Sequence, residues 1–360
     1  MENKIILAIN PGSTSTKLAV FFGHKNIFHR NIQHSVEDLA PYKKITDQYE
    51  FRKKVIIDLL ENNNAGININ QISVVVGRGG LIKPVPSGVI EVNDALIYDL
   101  KNSPLGEHAS NLGGLIADDI AKHLPHAKAY IADPVVVDEL EDIARISGHP
   151  LFERKSILHA LNQKAIARLY ARSINYPYED LNLIVTHLGG GITVGAHCKG
   201  RIIDVNNGLD GEGPFSPERS GSLPMGDLVR LCFSGNFAKE EILKMITGHG
   251  GMVAYLGTNS IPEVEIMIGE GNRQAKLVYD AMAYQVAKAI GEMAAVLNGE
   301  VDAILITGGV AFNKVFVEKI RKKVGNFGPV FVYPGEDEMH ALAMNGLMIL
   351  NGEAKILEYK

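Results

Sequence analysis

Apolar residues along this chain follow two rhythms. Short apolar runs at residues 5–9, 17–22, 73–76, 127–132, 183–186, 193–197, 301–306 and 330–333 predict β-strands. Between them, apolar residues recur every three or four positions and predict helices at 47–60, 109–123, 155–171, 274–297 and 314–323. Strands alternating with helices predict an α/β architecture. In 274–297 the apolar stripe passes through Leu277, Met282, Val286, Ile290, Met293 and Leu297, the spacing of a helix face packed on a core or on a second subunit.

One pattern occurs twice. ILAINPGSTSTKLAVFFGHKNI and, later, LIVTHLGGGITVGAHCKGRII share one order: apolar strand, polar residue (Asn10 or His187), small-residue turn, second strand, Gly/Lys turn, third strand. The pairing suggests a duplicated pair of similar domains, although strand–turn–strand units also resemble one another by chance.

Composition narrows the classes. A chain of 360 residues with 46% hydrophobic content supports a large core and favours two domains. Charged residues at 21% argue against global disorder, and a net charge of −5 against nucleic-acid binding. The two cysteines, Cys198 and Cys232, form no CxxC pair, and a reducing cytoplasm is the expected compartment. No cationic segment followed by a long apolar run opens the chain, so no secretory signal is expected. The longest uncharged stretch, 181–198, holds Asn182, His187 and three consecutive glycines, which suits buried strands around a turn better than a membrane span.

The two turns are the first candidates for chemistry. Successive backbone amides in a tight turn make a nest for anions, and small residues let a ligand approach. Asn10, Gly12, Ser13, Thr14, Ser15, Thr16 and Lys17 form one such stretch; Gly189, Gly190 and Gly191 form the other. The first is not a P-loop, because Thr16 stands where a second glycine would precede the lysine. It reads equally as an ordinary polar hairpin until the second turn and a third, Gly308-Gly309, are set beside it.

Further residues stand at positions where charge could act. Arg78 follows a strand and lies among Gly77, Gly79 and Gly80; Arg219 lies in PFSPERSGSLP. A guanidinium fork pairs well with carboxylate or phosphoryl oxygens, though surface arginines are commonly only solvated. Asp133 ends a strand, where an α/β sheet meets metal–nucleotide ligands, or makes a plain Asp-Pro turn. His187 reads as a site residue or a buried core histidine. Glu338 in YPGEDEMHALA reads as a ligand or as a helix-start acid. His123, His126 and His249 lack the companions a metal site needs.

Taken together, NPGSTSTK, GRGGLIKP, HALNQKA, THLGGGITVGAH, PERSGSLP, ILITGGVAFN and EDEMHALA resemble the acetate and butyrate kinase family of the sugar kinase–Hsp70–actin superfamily. The motifs run in the family's order over nearly the whole chain. The compact Gly77-Arg78-Gly79-Gly80 segment and the short chain resemble its butyrate kinase branch. One departure is Gly190, where acetate kinases read HLGNG.

The resemblance implies two similar actin-like (ribonuclease H-like) α/β domains, each a mixed sheet flanked by helices, around a central cleft. The boundary is expected at 1–152 and 153–345, with a C-terminal helix at about 346–360 packing back on the first domain. It implies ATP/ADP and Mg²⁺ as cofactors, and a short-chain carboxylic acid and its acyl phosphate as partners. Butyrate is the first choice of acid, with isobutyrate, propionate and acetate as alternatives. Homodimers or higher homo-oligomers are also implied. By position, Asn10, the 13–16 turn and Lys17 would line the phosphate site, and Arg78 and Arg219 would hold the acyl carboxylate and the phosphoryl group. His187 would stabilise the transition state, and Asp133 and Glu338 would support Mg²⁺, with Glu336 competing for the latter role. Gly308, Gly309 and Asn313 would lie near the nucleotide. The glycines around Arg78 would leave room for a longer acyl tail. Two other classes stay open: a sugar-type kinase with Asp133 as base, and a non-enzymatic actin-like or chaperone-like ATP-binding module.

Overall fold

The computed structural model describes residues 4–61, 68–102, 104–106 and 108–360. They form two compact units, one made of 1–137 with 337–360 and the other of 138–336.

The first unit is built on a seven-stranded sheet. Its strands are β1 (Ile5–Pro11), β2 (Ser15–Phe22), β3 (Lys25–Gln33), β4 (Ile72–Arg78), β5 (Val89–Glu91), β6 (Lys128–Ala132) and, from the chain's end, β12 (Ile356–Leu357). The order is β12-β5-β6-β4-β1-β2-β3. β1 is buried along its whole length, as a continuous apolar run in mid-sheet should be. β3, at the edge, exposes Lys25 and Arg30, charges that discourage pairing with other chains. Alternate residues send Leu7, Ile9 and Val75 to one face with Leu112 and Ile116. On the other face Gly346 lets helix Glu338–Leu350 settle on Ile6 and Val76.

The second unit holds β7 (Asn182–Leu188), β8 (Ile192–Cys198), β9 (Arg201–Val205), β10 (Ala303–Gly308) and β11 (Val330–Pro334), ordered β11-β10-β7-β8-β9. Leu183, Val185 and Leu305 pack on Ala167 and Tyr170 of helix Ala160–Ser173. Ile184, Ile304 and Ile306 face Met282, Val286 and Ile290 of helix Arg273–Val296. That helix starts where the Asn272 side chain accepts from Ala275 N–H. Leu277, in the stripe read as facing a core or a second subunit, is 65% exposed.

The duplication is visible in the topology. β1, β2 and β3 form an antiparallel meander, and β4 and β6 continue it in parallel from β1. β7, β8 and β9 form the same meander, and β10 and β11 continue it in parallel from β7. Two actin-like α/β halves follow, and Asn10 and His187 occupy equivalent ends of β1 and β7.

The second unit begins at 138, where the sequence reading expected 153. Residues 138–152 side with the second unit, because Glu141 N–H bonds Ile203 O and Glu139 pairs with Lys164 at 2.6 Å. The returning helix begins at Glu338, not near 346, and is followed by β12. No helix among the described residues is long and apolar enough to cross a membrane.

Candidate functional site

In the first unit three parallel strands deliver side chains at their carboxyl ends. Ile9 lies beside Gly77, and Arg78 beside Ala132, so Asn10, Arg78 and Asp133 emerge along one edge of the sheet. Helix Glu338–Leu350 brings Glu338 to them. Arg78 Nη1 lies 2.9 Å from Glu338 Oε1, and Asn10 donates from Nδ2 to Oε2 at 2.5 Å. Arg78 Nη1 also reaches Asn10 Oδ1 at 3.4 Å. Glu338 is 8% exposed and Asn10 3%. Arg78 is more open, with 21% of its side chain exposed, and offers the trio's accessible donors.

Asp133 sits at positive φ (+38°), a strained position for a side-chain-bearing residue. Its Oδ1 accepts from Ser87 Oγ at 2.7 Å and Gly88 N at 2.8 Å. The carboxylate thus clamps the 87–88 segment as well as standing at the strand end.

The glycines around Arg78 do not leave the expected acyl space. A methyl group on Gly77 would overlap the Gly113 carbonyl, on Gly79 Pro134, and on Gly80 Asn111. They let helix Asn111–Lys122 and the 133–134 turn come against the Arg78 strand, which fixes where Arg78 starts.

The 12–16 turn precedes β2. Gly12 N–H bonds Ser15 O at 2.8 Å, Ser13 and Thr14 are exposed, and Thr16 is buried. Lys17 stands opposite Asn10 in the β1–β2 register, on the return strand.

In the second unit His187 closes β7, beside Thr307 of β10. It is 1% exposed. Asn162 Oδ1 lies 2.8 Å from its Nδ1, and His159 stacks on the ring. Glu336 Oε1 comes within 2.9 Å of Nε2, yet the alignment falls short of a hydrogen bond, so Nε2 is buried and unsatisfied. A side chain at Gly189 would strike His187 and crowd Glu336.

The glycine turn closes one residue tighter than its counterpart, with Gly189 N–H bonded to Gly191 O at 3.0 Å. Arg219 lies directly on Gly191, and its Nη1 also bonds the Gly208 carbonyl. Burial pushes the Arg219 guanidinium below its ordinary range, opposed by Glu218 and Asp210, and it stays a cation at neutral pH. Ser216 Oγ donates to Gly190 O at 2.5 Å, tying the PERSGSLP loop to the turn. Glu218 stands beside Gly190, in space an asparagine there would need.

A cavity of about 680 Å³ opens next to this turn. Its walls include Gly189, Gly190, Gly309 and Asn313, with Ile261 and Phe312 as apolar surfaces. Gly308, at φ +93°, passes against the Leu188 backbone. Asn313 caps helix Lys314–Val324 through Phe316 N–H and accepts from Tyr279 Oη. The size and the mix of apolar walls and backbone donors suit a nucleotide.

The structure therefore gathers Asn10, Arg78 and Glu338 into one cluster, with Asp133 on the same sheet edge. It gathers His187, Gly189–191 and Arg219 near a cavity that also takes in Gly309 and Asn313. Sequence reasoning left without a role His159 and Asn162, whose i, i+3 spacing in HALNQKA was the available signal. It also missed Arg52, which shares an i, i+4, i+8 stripe with Ile56 and Leu60; a cation on an apolar stripe was the signal there.

The donor set fits a Mg²⁺ ion carried by nucleotide phosphates, which needs only one or two carboxylates. Glu338 and Asp133 are hard oxygen donors, and each Glu338 oxygen has one partner and keeps a lone pair. Among the described residues no group of three His, Cys, Asp or Glu forms a cage of its own.

Residues 150–331 match the Acetokinase family. Butyrate kinase 2 of Clostridium acetobutylicum is 57% identical over 355 residues, 99% of each chain. Among solved structures, Porphyromonas gingivalis acetate kinase superposes with a TM-score of 0.78 at 21% identity, covering 96% of this chain and 99% of that one. A propionate kinase from Francisella tularensis subsp. tularensis gives 0.73 at 20% identity, covering 95% and 98%. The chain belongs to the acetokinase family.

Proposed function

We propose that this chain transfers the terminal phosphoryl group of ATP to a short-chain carboxylate, butyrate first, giving ADP and an acyl phosphate, and that it runs the reaction in both directions. The observation that carries the reading is the 57% identity, end to end, with a butyrate kinase.

The chemistry suits the residues. A carboxylic acid is already ionised at pH 7, so no general base is required. Transfer between two oxygens then rests on positioning and on stabilising charge. Arg78, held from behind by Glu338 and Asn10, receives the acid's carboxylate in its guanidinium fork. Arg219 and His187 Nε2 donate to the oxygens of the moving phosphoryl group; the unsatisfied Nε2 gains there the partner it lacks. The turns at 13–16 and 189–191 hold phosphate oxygens, and Gly308, Gly309 and Asn313 border the nucleoside. Mg²⁺, supported by Glu338 and Asp133, would neutralise phosphate charge.

We further propose self-association through the second unit. Helix Met225–Cys232 has no buried residue, and Met225 (77%), Val229 (50%) and nearby Phe233 (87%) are exposed. Leu277 and Tyr255 rim a neighbouring apolar cavity of about 720 Å³. Such a surface suits burial against a second copy.

The deciding experiment is hydroxylamine trapping with ATP and a panel of acids. Hydroxamate formation with butyrate ahead of isobutyrate, propionate and acetate is expected. An acetate optimum would overturn the choice of acid, and hydroxamate from no acid would overturn the carboxylate kinase reading.

A further inference from the structure

Arg52 is a cation that the reaction scheme does not use, and it is completely buried in the first unit. Its guanidinium is spent on the β1–β2 turn. Nη1 donates to Gly12 O at 2.8 Å, to Ser15 O at 2.9 Å and to Thr16 Oγ1 at 3.1 Å. Nη2 donates to Ser13 O at 2.9 Å, and Nε and Nη2 both reach Gln48 Oε1 at 3.0 and 2.8 Å. No carboxylate pairs with Arg52 among the described residues.

A second strut acts on the same turn. His34 N–H donates to Thr14 O at 2.9 Å, and the His34 ring lies 2.8 Å from Thr16 Oγ1. Every carbonyl from Gly12 to Ser15 is thereby engaged on the protein side. The amides and hydroxyls of exposed Ser13 and Thr14 make no hydrogen bond within the protein among the described residues.

A buried cation without a counter-ion is expensive, and an apolar residue of similar volume would cost the core less. What a guanidinium does and a methionine cannot is absorb three carbonyls at once. A turn whose carbonyls are all engaged leaves amides and hydroxyls as the groups it turns outward, and the charge beneath adds to its attraction for anions.

We propose that Arg52 is a positioning residue that holds the 12–16 turn with its donors outward, so that the turn binds the phosphoryl oxygens of ATP or acyl phosphate. The inference rests on the kinase reading above and assigns that site an internal support.

The test compares wild type with Arg52→Met, Arg52→Lys and Arg52→Gly in the full chain. Cooperative melting reports folding, and steady-state kinetics report KM for ATP and for butyrate separately. For Arg52→Met we expect KM for ATP to rise by about tenfold or more while KM for butyrate stays within about twofold. Guanidinium chloride at low millimolar concentration should restore ATP affinity to Arg52→Gly but not to Arg52→Met, whose side chain fills the space. Arg52→Lys, which keeps the charge and loses the fork, should fall between Met and wild type. A melting-temperature rise on adding pyrophosphate, present in wild type and reduced in Arg52→Lys, reads the turn without catalysis. That readout separates this inference from the kinase reading, which hydroxamate trapping with wild type tests alone. Unchanged ATP kinetics in a folded Arg52→Met would overturn the proposal. So would equal losses for ATP and butyrate without guanidinium rescue. If the Met and Gly variants do not fold, a Lys variant with wild-type pyrophosphate response and ATP KM overturns it.

Discussion

His159 lies flat on His187, ring centroids 3.8 Å apart and planes 9° from parallel. With Asn162 Oδ1 on His187 Nδ1, that ring is held on one side by a face and on the other by an acceptor. The contact at Nδ1 fixes the orientation of the ring and aims Nε2 outward.

Asn162→Ala therefore frees the ring to turn and to change tautomer. We expect kcat to fall about tenfold or more with KM for butyrate nearly unchanged. Kinetics combined with nitrogen NMR of the histidine tautomers checks it; a wild-type kcat would remove Asn162 from the arrangement.

Arg219→Ala should lower kcat by on the order of 10²–10³ while the melt stays cooperative. Gly191→Ala offers an independent route to the same loss, because the added methyl group would occupy the guanidinium's place. Near-full turnover in either variant would count against Arg219 as a phosphoryl contact.

Arg78→Ala should raise KM for butyrate more than KM for ATP. Glu338→Gln removes the charge facing Arg78 while keeping an oxygen for it. If Glu338 serves Mg²⁺, that variant needs more Mg²⁺ for half-maximal rate. An unchanged Mg²⁺ titration would leave Glu338 solely as the partner of Arg78 and Asn10.

Gly80→Ala should destabilise the first unit by about 1–3 kcal/mol or more, since the methyl group meets Asn111. Acyl-chain preference should not widen. A folded Gly80→Ala with altered selectivity would restore the idea that these glycines shape the acyl pocket.

Stability should decline below pH 6.5. Burial, then Lys164 and Arg168, hold His197 well below its ordinary 6.5, and burial followed by Arg52 lowers His34. As pH falls through 6.5 the unfolded chain takes up protons that these folded histidines refuse, so folding loses up to about 1.4 kcal/mol per pH unit for each. The loss levels off once the folded values are passed. Urea denaturation at pH 7.5, 6.5 and 5.5 measures the slope, and His197→Gln should make it shallower. A flat profile in wild type would contradict both shifts.

The framework was legible in the sequence wherever local pattern and final environment agree. β1 and β7 are continuous apolar runs because they lie in mid-sheet, and their paired turns exposed the duplication. Helix Met225–Cys232 escaped although Met225, Leu228, Val229 and Cys232 recur at helical spacing, because it is only eight residues long and none of them joins the core. The glycines beside Arg78 were misread as space, because a missing side chain looks the same in sequence whether ligand or backbone fills the gap. Arg52 was invisible as a support because its partners are main-chain oxygens, which leave no mark on residue identity. Glu338 could be placed at a helix start, but its return to Asn10 is a tertiary fact.

That return sets an order of events during synthesis. Asn10 and Glu338 are 328 positions apart, and all of the second unit is made between them. A chain emerging from the ribosome can pair β1, β2, β3 and β4 early, yet Arg78 lacks its anion and the Ile6–Val76 face lacks its covering helix until the last segment appears. Messages cut short before codon 338 would thus yield products with an apolar sheet face uncovered, marked for chaperones and proteases, and unable to act as half-competent enzymes.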